Sequence, residues 1–170
     1  MKQRGNLCCC FVFCVFANII LFILESQAIS LDDFYCEVRR EIPTTMVRTE
    51  SGNKPIIYWK STIFPEGIKP EDRCQEASKN LQAAQDNQRL SYLSHGTMNG
   101  KQVICVSDRK GGSCVDIIFE LKPGSQPQKV LMQLLDLRGI ANGKAIEQGN
   151  DKRIYINFRE YVKRIPPDPK

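Results

Sequence analysis

The order of apolar and polar positions divides the folded part of the chain into extended and helical stretches. Two extended segments are predicted near its start, around Phe34–Val38 and Ile56–Ser61. Pro43 and the run Ser51–Asn53 lie between them and carry residues that favour turns. The pattern therefore predicts a hairpin-like pair of strands in this region.

Apolar residues at spacings of three and four then predict a helix from about Pro70 to Gln85. Pro70 suits the first helical position, and Glu71 and Asp72 fall in the first turn, where the helix dipole favours acids. The predicted core-facing stripe consists of Cys74, Ala77, Leu81 and Ala84.

A second amphipathic helix is predicted after this one. Ser125 is its expected N-cap, with Gln128 three residues on, and Arg138 and Gly139 mark its end. Its apolar positions are Val130, Leu131, Leu134, Leu135 and Leu137.

Turn signals between β-prone runs predict two tight hairpins in the middle of the chain. The pair Asn99-Gly100 is the strongest of these signals, and Gly111-Gly112 forms the second. A last strand is predicted over RIYINFREYV, residues 153–162, where Ile154, Ile156 and Phe158 alternate with polar and aromatic positions. Together these elements predict an α+β fold with a mostly antiparallel sheet of about five to six strands and two packed helices.

The N-terminal residues have the layout of an export signal. Lys2 and Arg4 precede 18 residues, Leu7 to Leu24, in which Asn18 is the one polar position. Cleavage is expected between Ala28 and Ile29, and an uncleaved N-terminal anchor is the alternative, since the run approaches the length that crosses a bilayer. Either way, we expect an extracytoplasmic domain over residues 29–165 with a Pro-rich tail over 166–170.

Charge argues against nucleic acid as the partner. The 142 residues after position 28 keep 22 of the 24 basic residues and 18 of the 19 acidic ones, a net charge of +4. This excess is too small to predict a nucleic-acid-binding domain.

Four cysteines remain after the signal segment, and an even number in an oxidising compartment predicts two disulfides. We favour Cys105 with Cys114, because strand alternation puts both side chains on one side of a hairpin, and Cys36 with Cys74, which would tie the first strand to the helix. Pairing of Cys36 with Cys105 and of Cys74 with Cys114 is the competing arrangement. A zinc site is not expected, since the spacing of Cys105 and Cys114 is too wide for a ligand pair.

Candidate catalytic groups are sparse. His95 is the one histidine, and Ser94 beside it would point to the opposite face of a strand. The mature part contains no CxxC, GxSxG or HExxH motif, and no cofactor is indicated. We therefore expect a non-enzymatic protein, with a small hydrolase or thiol-redox enzyme that uses His95 or the cysteines as the alternative.

The last predicted strand also offers a candidate contact surface. Basic and aromatic residues alternate along it and would form one exposed face able to touch an anionic membrane or an envelope partner. An ordinary solvated strand face is the simpler interpretation. The face consists of Arg153, Tyr155, Arg159 and Tyr161, with Asn157 between them.

Several strings occur together in an order and spacing that resemble the cyanobacterial circadian oscillating protein family over about residues 34–162. They are FYC at 34–36, PTT at 43–45, IIYWKS with Trp59, PEDRCQEAS, LSYLSHGTMNGKQVICV, GGSC followed by DIIFELKPGS, QLLDLR and YINFREYV. The core NGxxVIC…GGxC is the most specific part of the resemblance.

The resemblance implies an exported protein, peripheral to a membrane or free in the periplasm or thylakoid lumen, whose abundance follows a daily rhythm. It implies no catalytic activity, and it transfers the four cysteines and Trp59 as structural positions. The chain departs from the family pattern at Asn80-Leu81-Gln82, where a basic-aromatic pair is more usual.

Overall fold

The structure, a computed structural model, describes residues 31–60, 67–135, 146–148 and 153–168. The predicted signal segment, residues 1–28, and the predicted helix end at Arg138 and Gly139 lie outside the described residues. Eight strands and three helices are formed by the described part of the chain.

The first three strands form an antiparallel sheet in the order β1-β2-β3. They are β1 (Leu31–Arg39), β2 (Ile42–Thr49) and β3 (Gly52–Tyr58). Two strands were predicted in this region, but the structure has three, because β2 lies between the two that were predicted. Its residues 43–47 are all buried, so the strand has no alternation of polar and apolar positions. Arg40 and Glu41 make the β1–β2 turn with φ values of 45° and 66°, a left-handed conformation usually signalled by Gly or Asn.

The first helix, α1 (Pro70–Asp86), confirms the predicted helix and its stripe, since Cys74, Ala77, Leu81 and Ala84 are all buried. It packs on both β1 and β2 and on a strand of the second sheet, β6 (Asp116–Glu120). Two polar side chains fix these contacts. Asn80 Nδ2 donates to the Ile118 carbonyl at 2.9 Å, and Gln82 Oε1 accepts from the Phe34 amide at 2.8 Å. The segment that departs from the family pattern therefore ties α1 to both sheets.

Five strands make the second sheet, in the order β6-β5-β4-β8-β7 with antiparallel pairing. Besides β6 they are β4 (Tyr92–Met98), β5 (Lys101–Ser107), β7 (Ile146–Gln148) and β8 (Ile154–Asn157). The predicted Asn99-Gly100 hairpin is confirmed, with φ values of 51° and 75°. Both residues thus adopt the left-handed conformation that a two-residue hairpin turn requires.

Two shorter helices differ from the predicted pattern. In α2 (Pro127–Leu134) the N-cap is Gln126 and not Ser125, because Pro127 takes the first helical position. Residues 158–162 were predicted as strand, but they belong to α3 (Phe158–Arg164). Asn157 ends β8 and caps this helix, since its Oδ1 accepts from the Glu160 amide at 3.1 Å.

One buried cluster draws on both sheets and all three helices. At its centre Trp59 packs edge-on against Phe119, with ring centroids 5.1 Å apart. Trp59 Nε1 and Ser78 Oγ both donate to Thr45 Oγ1, at 2.9 and 3.1 Å. These bonds satisfy polar groups that the core buries. Thr45 thereby joins the first sheet to α1, and the contact of Trp59 with Phe119 on β6 joins the first sheet to the second.

The α+β class, the antiparallel pairing and the two disulfides are confirmed, whereas the division into two sheets and the third helix were not predicted. Across the described ranges, no helix has the length and apolar character needed to cross a bilayer.

Candidate functional site

The four cysteines of the described region form two disulfides in the favoured pairing. Cys36–Cys74 joins β1 to α1 and Cys105–Cys114 joins β5 to the loop before β6, each with a Cα–Cα distance of 5.6 Å. The competing pairing is wrong. Strand alternation does not account for the second bridge, because Cys105 pairs in register with Ile117 and Cys114 precedes the strand. The bridge closes a loop and does not connect facing strand residues.

The loop that ends at Cys114 is held from the side of β8. The Gly112 carbonyl accepts from the Tyr155 hydroxyl at 3.0 Å and from Arg153 Nη1 at 3.3 Å. Gly96 on β4 lies against the bridge, since a Cβ at this position would be 2.7 Å from the Sγ of Cys114. The loop is therefore held in place by the disulfide and by hydrogen bonds from Tyr155 and Arg153.

The basic-aromatic face predicted for residues 153–161 does not exist as one exposed surface. Tyr155 is 0% exposed and Tyr161 is 2% exposed. Alternation stops at Asn157, and Tyr161 lies on α3, where its hydroxyl is shared between the carbonyls of Ile56 at 2.8 Å and Leu135 at 3.0 Å. Arg153 is half-buried beside Gly112, and Arg159 is exposed on α3. The structure therefore separates the four residues.

Ser94 and His95 both contact the backbone of Ile154. Ser94 is fully buried, and its Oγ donates to the Ile154 carbonyl at 2.7 Å. His95 Nε2 accepts from the Ile154 amide at 3.5 Å. Since the hydroxyl proton of Ser94 is directed to a carbonyl, the two side chains are not arranged as a nucleophile and its base.

A cleft of about 380 Å³ opens where the C-terminal residues return to the first sheet. We call it the basic cleft. The predicted tail forms one wall of it, because the Asp168 amide donates to the Asn53 carbonyl at 2.8 Å. Three basic side chains line it together with aromatic, apolar and acidic ones: Arg39, Arg40, Lys60, Tyr58, Ile42, Pro55, Pro166, Pro167 and Asp168.

The three cations of the basic cleft differ in their pairing. Arg39 is held between two carboxylates, with Nη1 at 2.6 Å from Glu37 Oε1 and Nη2 paired with Asp168. Arg40 and Lys60 are exposed and form no ion pair within the described ranges. Sequence reasoning missed this site because its residues are far apart in the chain, and the adjacent pair Arg39-Arg40 was the one local signal.

Lys54 is a buried cation of a different kind. The residue is 4% exposed, and Nζ donates to the Val162 carbonyl near the end of α3 at 3.1 Å. Burial lowers the pKa of its ammonium group below the ordinary 10.5. Because the lysine carries a structural bond to α3, its position indicates packing and not chemistry.

Groups of three or more His, Cys, Asp or Glu side chains arranged to hold a metal are absent from the described part of the chain. The family model described as circadian oscillating protein COP23 matches residues 33–163. Comparison with curated proteins and with solved structures finds no match.

Proposed function

The chain belongs to the circadian oscillating protein COP23 family, and we propose that it is an exported, non-enzymatic member that binds an acidic segment of an envelope or lumen protein. The family name describes a daily rhythm of the protein and gives no molecular activity. The proposed binding function therefore rests on the structure of the domain.

Export is supported by the state of the cysteines. Both pairs downstream of the apolar N-terminal segment are joined as disulfides, and such bonds persist in oxidising compartments. The lysine and arginine that precede the apolar segment fit a signal or anchor whose N-terminus stays in the cytoplasm.

The observation that carries the binding proposal is that two exposed cations, Arg40 and Lys60, line the basic cleft without an ion pair in the described ranges. Exposed cations steer acidic partners and set the salt dependence of binding. Asp168 shows how such a partner would be held, because a carboxylate on an extended segment pairs with Arg39 in the same cleft. Pro166 and Pro167 give the cleft a wall, and this concave shape fits a protein segment better than a flat bilayer.

Crosslinking in native envelopes tests this proposal. We expect the wild-type protein to be captured with a protein partner, and we expect Arg40→Glu with Lys60→Glu to reduce that capture about tenfold or more, since two attractive charges become repulsive. The matched control is Lys79→Glu with Lys122→Glu, which makes the same charge change at two other exposed lysines without ion pairs in the described ranges. Equal capture of both variants, or a wild-type protein that is always recovered alone, would contradict the proposal.

Two further measurements separate the alternatives. Sedimentation with anionic vesicles that depends on Arg40 and Lys60, without a captured protein, would assign the cleft to a membrane surface instead.

Reaction of the non-reduced protein with a thiol reagent should label none of the four cysteines of the described region. Two or more reactive thiols there would favour the thiol-redox alternative.

A further inference from the structure

A second cavity, of about 510 Å³, lies between the start of α1, the β4–β5 turn and the residues after β6, and it shares no lining residue with the basic cleft. Its volume is in the range of small-ligand pockets, roughly 300–1,000 Å³. Apolar side chains contribute much of the wall, among them Ile68, Leu121 and Pro123. The polar lining is dominated by Arg73, Lys101 and Glu120.

Arg73 is the unusual member of this lining. Its side chain is 6% exposed, and Nη1 donates to Glu76 Oε2 at 2.8 Å. Its Nε is buried and has no acceptor in the described part of the chain. Buried donors without acceptors cost free energy, so a native protein rarely leaves them unmatched unless a water or a ligand supplies the acceptor.

The position of the Glu76 bond decides which edge of the Arg73 guanidinium remains available to donate to a ligand. Glu76 accepts from Nη1, and Nε, which shares the other edge of the guanidinium with Nη2, has no acceptor within the described ranges. Two parallel N–H groups on such an edge match the two oxygens of a carboxylate. The arrangement therefore presents half of a bidentate pair.

The local charge favours a monoanion over a dianion. Lys101 Nζ pairs with Glu120 Oε2 at 2.7 Å, and both side chains are largely exposed, so this pair is already balanced. Arg73 is likewise balanced by one carboxylate, Glu76, whose side chain is 44% exposed and therefore screened by water. A monoanion adds one negative charge to this balanced set, whereas a phosphate dianion would add two.

We propose that this cavity binds a small monocarboxylate with an apolar body, with the carboxylate on Nε and Nη2 of Arg73 and the apolar body against Ile68, Leu121 and Pro123. The carboxylate could belong to a free aliphatic acid or to the C-terminal residue of a peptide, since both present the same two oxygens. The site is independent of the basic cleft.

Calorimetric titration of the purified protein, with both disulfides intact, tests the site with octanoate as the probe. Octanoate should bind, and octanol, which has the same apolar body without a carboxylate, should bind at least about tenfold more weakly. Comparison with N-acetylleucine distinguishes the two sources of the carboxylate, because the tighter of the two ligands identifies the body that the cavity fits. Absence of octanoate binding, or equal binding of octanol, would overturn the proposal.

Three variants locate the carboxylate. Arg73→Gln should weaken octanoate binding about tenfold or more, whereas Arg89→Gln, which removes an arginine with an Asp116 ion pair outside the cavity, should leave it unchanged. Glu76→Gln should strengthen binding, because it removes the carboxylate that competes with the ligand for the guanidinium of Arg73.

A measurement on the wild-type protein avoids any dependence on how Arg73→Gln folds. The ¹⁵Nε resonance of Arg73 should shift as octanoate is added, and the shift should saturate with the calorimetric affinity. Binding without a shift of that resonance, or binding that Glu76→Gln weakens, would place the carboxylate elsewhere and overturn the assignment.

Discussion

Lys54 places a cation where water is nearly excluded, with the Val162 carbonyl as its hydrogen-bond acceptor. Because burial lowers the pKa of this group in the folded protein, the unfolded chain binds the proton more tightly. The free energy of unfolding should therefore rise with pH between the lowered pKa and the ordinary value of 10.5. Below that window the lysine is charged in both states and the penalty is constant.

Substitution Lys54→Met isolates this effect. The stability of the wild-type protein relative to Lys54→Met should increase as the pH is raised toward 10.5, and urea unfolding at several pH values measures it. Lys79→Met, which removes an exposed lysine of α1, is the matched control for the loss of one charge. A relative stability of Lys54→Met that does not change with pH would show that the buried ammonium does not titrate differently on folding.

Residue patterns predicted the buried stripe of α1 correctly, because it depends on local spacing. The favoured pairing of the cysteines was also correct, although strand alternation is not what joins Cys105 to Cys114. They did not predict the role of Thr45, whose hydroxyl accepts from Trp59 and Ser78 and so depends on three distant parts of the chain. Tyr155 was predicted to be exposed because strand alternation does not show that its hydroxyl has a distant partner. Its burial follows from the Gly112 carbonyl, a partner 43 residues away.

The two disulfides connect elements at very different distances along the chain. Cys36 and Cys74 are 38 residues apart, whereas Cys105 and Cys114 are 9 apart. The chain-entropy relation gives about 4 kcal/mol for the longer loop and about 2.7 kcal/mol for the shorter one. Removal of the bridge between β1 and α1 should therefore lower the free energy of unfolding by about 1 kcal/mol more than removal of the bridge at β5.

Double serine variants test this difference, with urea unfolding followed by the fluorescence of Trp59, the one tryptophan of the chain. The two variants control for each other, since each removes one fully buried cysteine, Cys74 or Cys105, and one half-buried cysteine, Cys36 or Cys114. A larger loss from the β5 bridge would mean that its contacts in the native state, above all at Gly96, outweigh the entropy of the unfolded chain.

Elements were predictable where local signals agreed with the tertiary environment. The Asn99-Gly100 turn and α1 are of this kind. β2 was missed because both of its faces are buried and its turn contains Arg40 and Glu41. α3 also has a local signal, since Asn157 followed three residues later by Glu160 is typical of a helix start, but the alternation of residues 154–158 favours a strand.

The assembly of the molecule could be predicted least. Two sheets share one core because α1 packs on both, and no local pattern encodes which strands join which sheet. The basic cleft has the same origin, because residues 39–42, 55–60 and 166–168 meet there through the turns of the first sheet and the return of the C-terminus. The Arg73 cavity likewise combines the start of α1 with the β4–β5 turn and the residues after β6.

The return of the C-terminus has a consequence for self-association. β3 is the last strand of its sheet, and an uncovered edge strand is a template for another chain. Asp168 donates its amide to Asn53 on this strand, and Pro167, which has no amide to offer a neighbour, lies against Gly52. The short tail therefore acts as a cover on the edge.

Deletion of residues after Ile165 should increase concentration-dependent association, measured by light scattering at constant temperature. Asp168→Ala, which keeps the backbone bond to Asn53 and removes the carboxylate that pairs with Arg39, should not. Association of Asp168→Ala to the same extent would assign protection to the ion pair and not to the backbone. If the cover is what matters, a few residues after α3 protect the β3 edge from aggregation, and a protease that removes them would expose that edge.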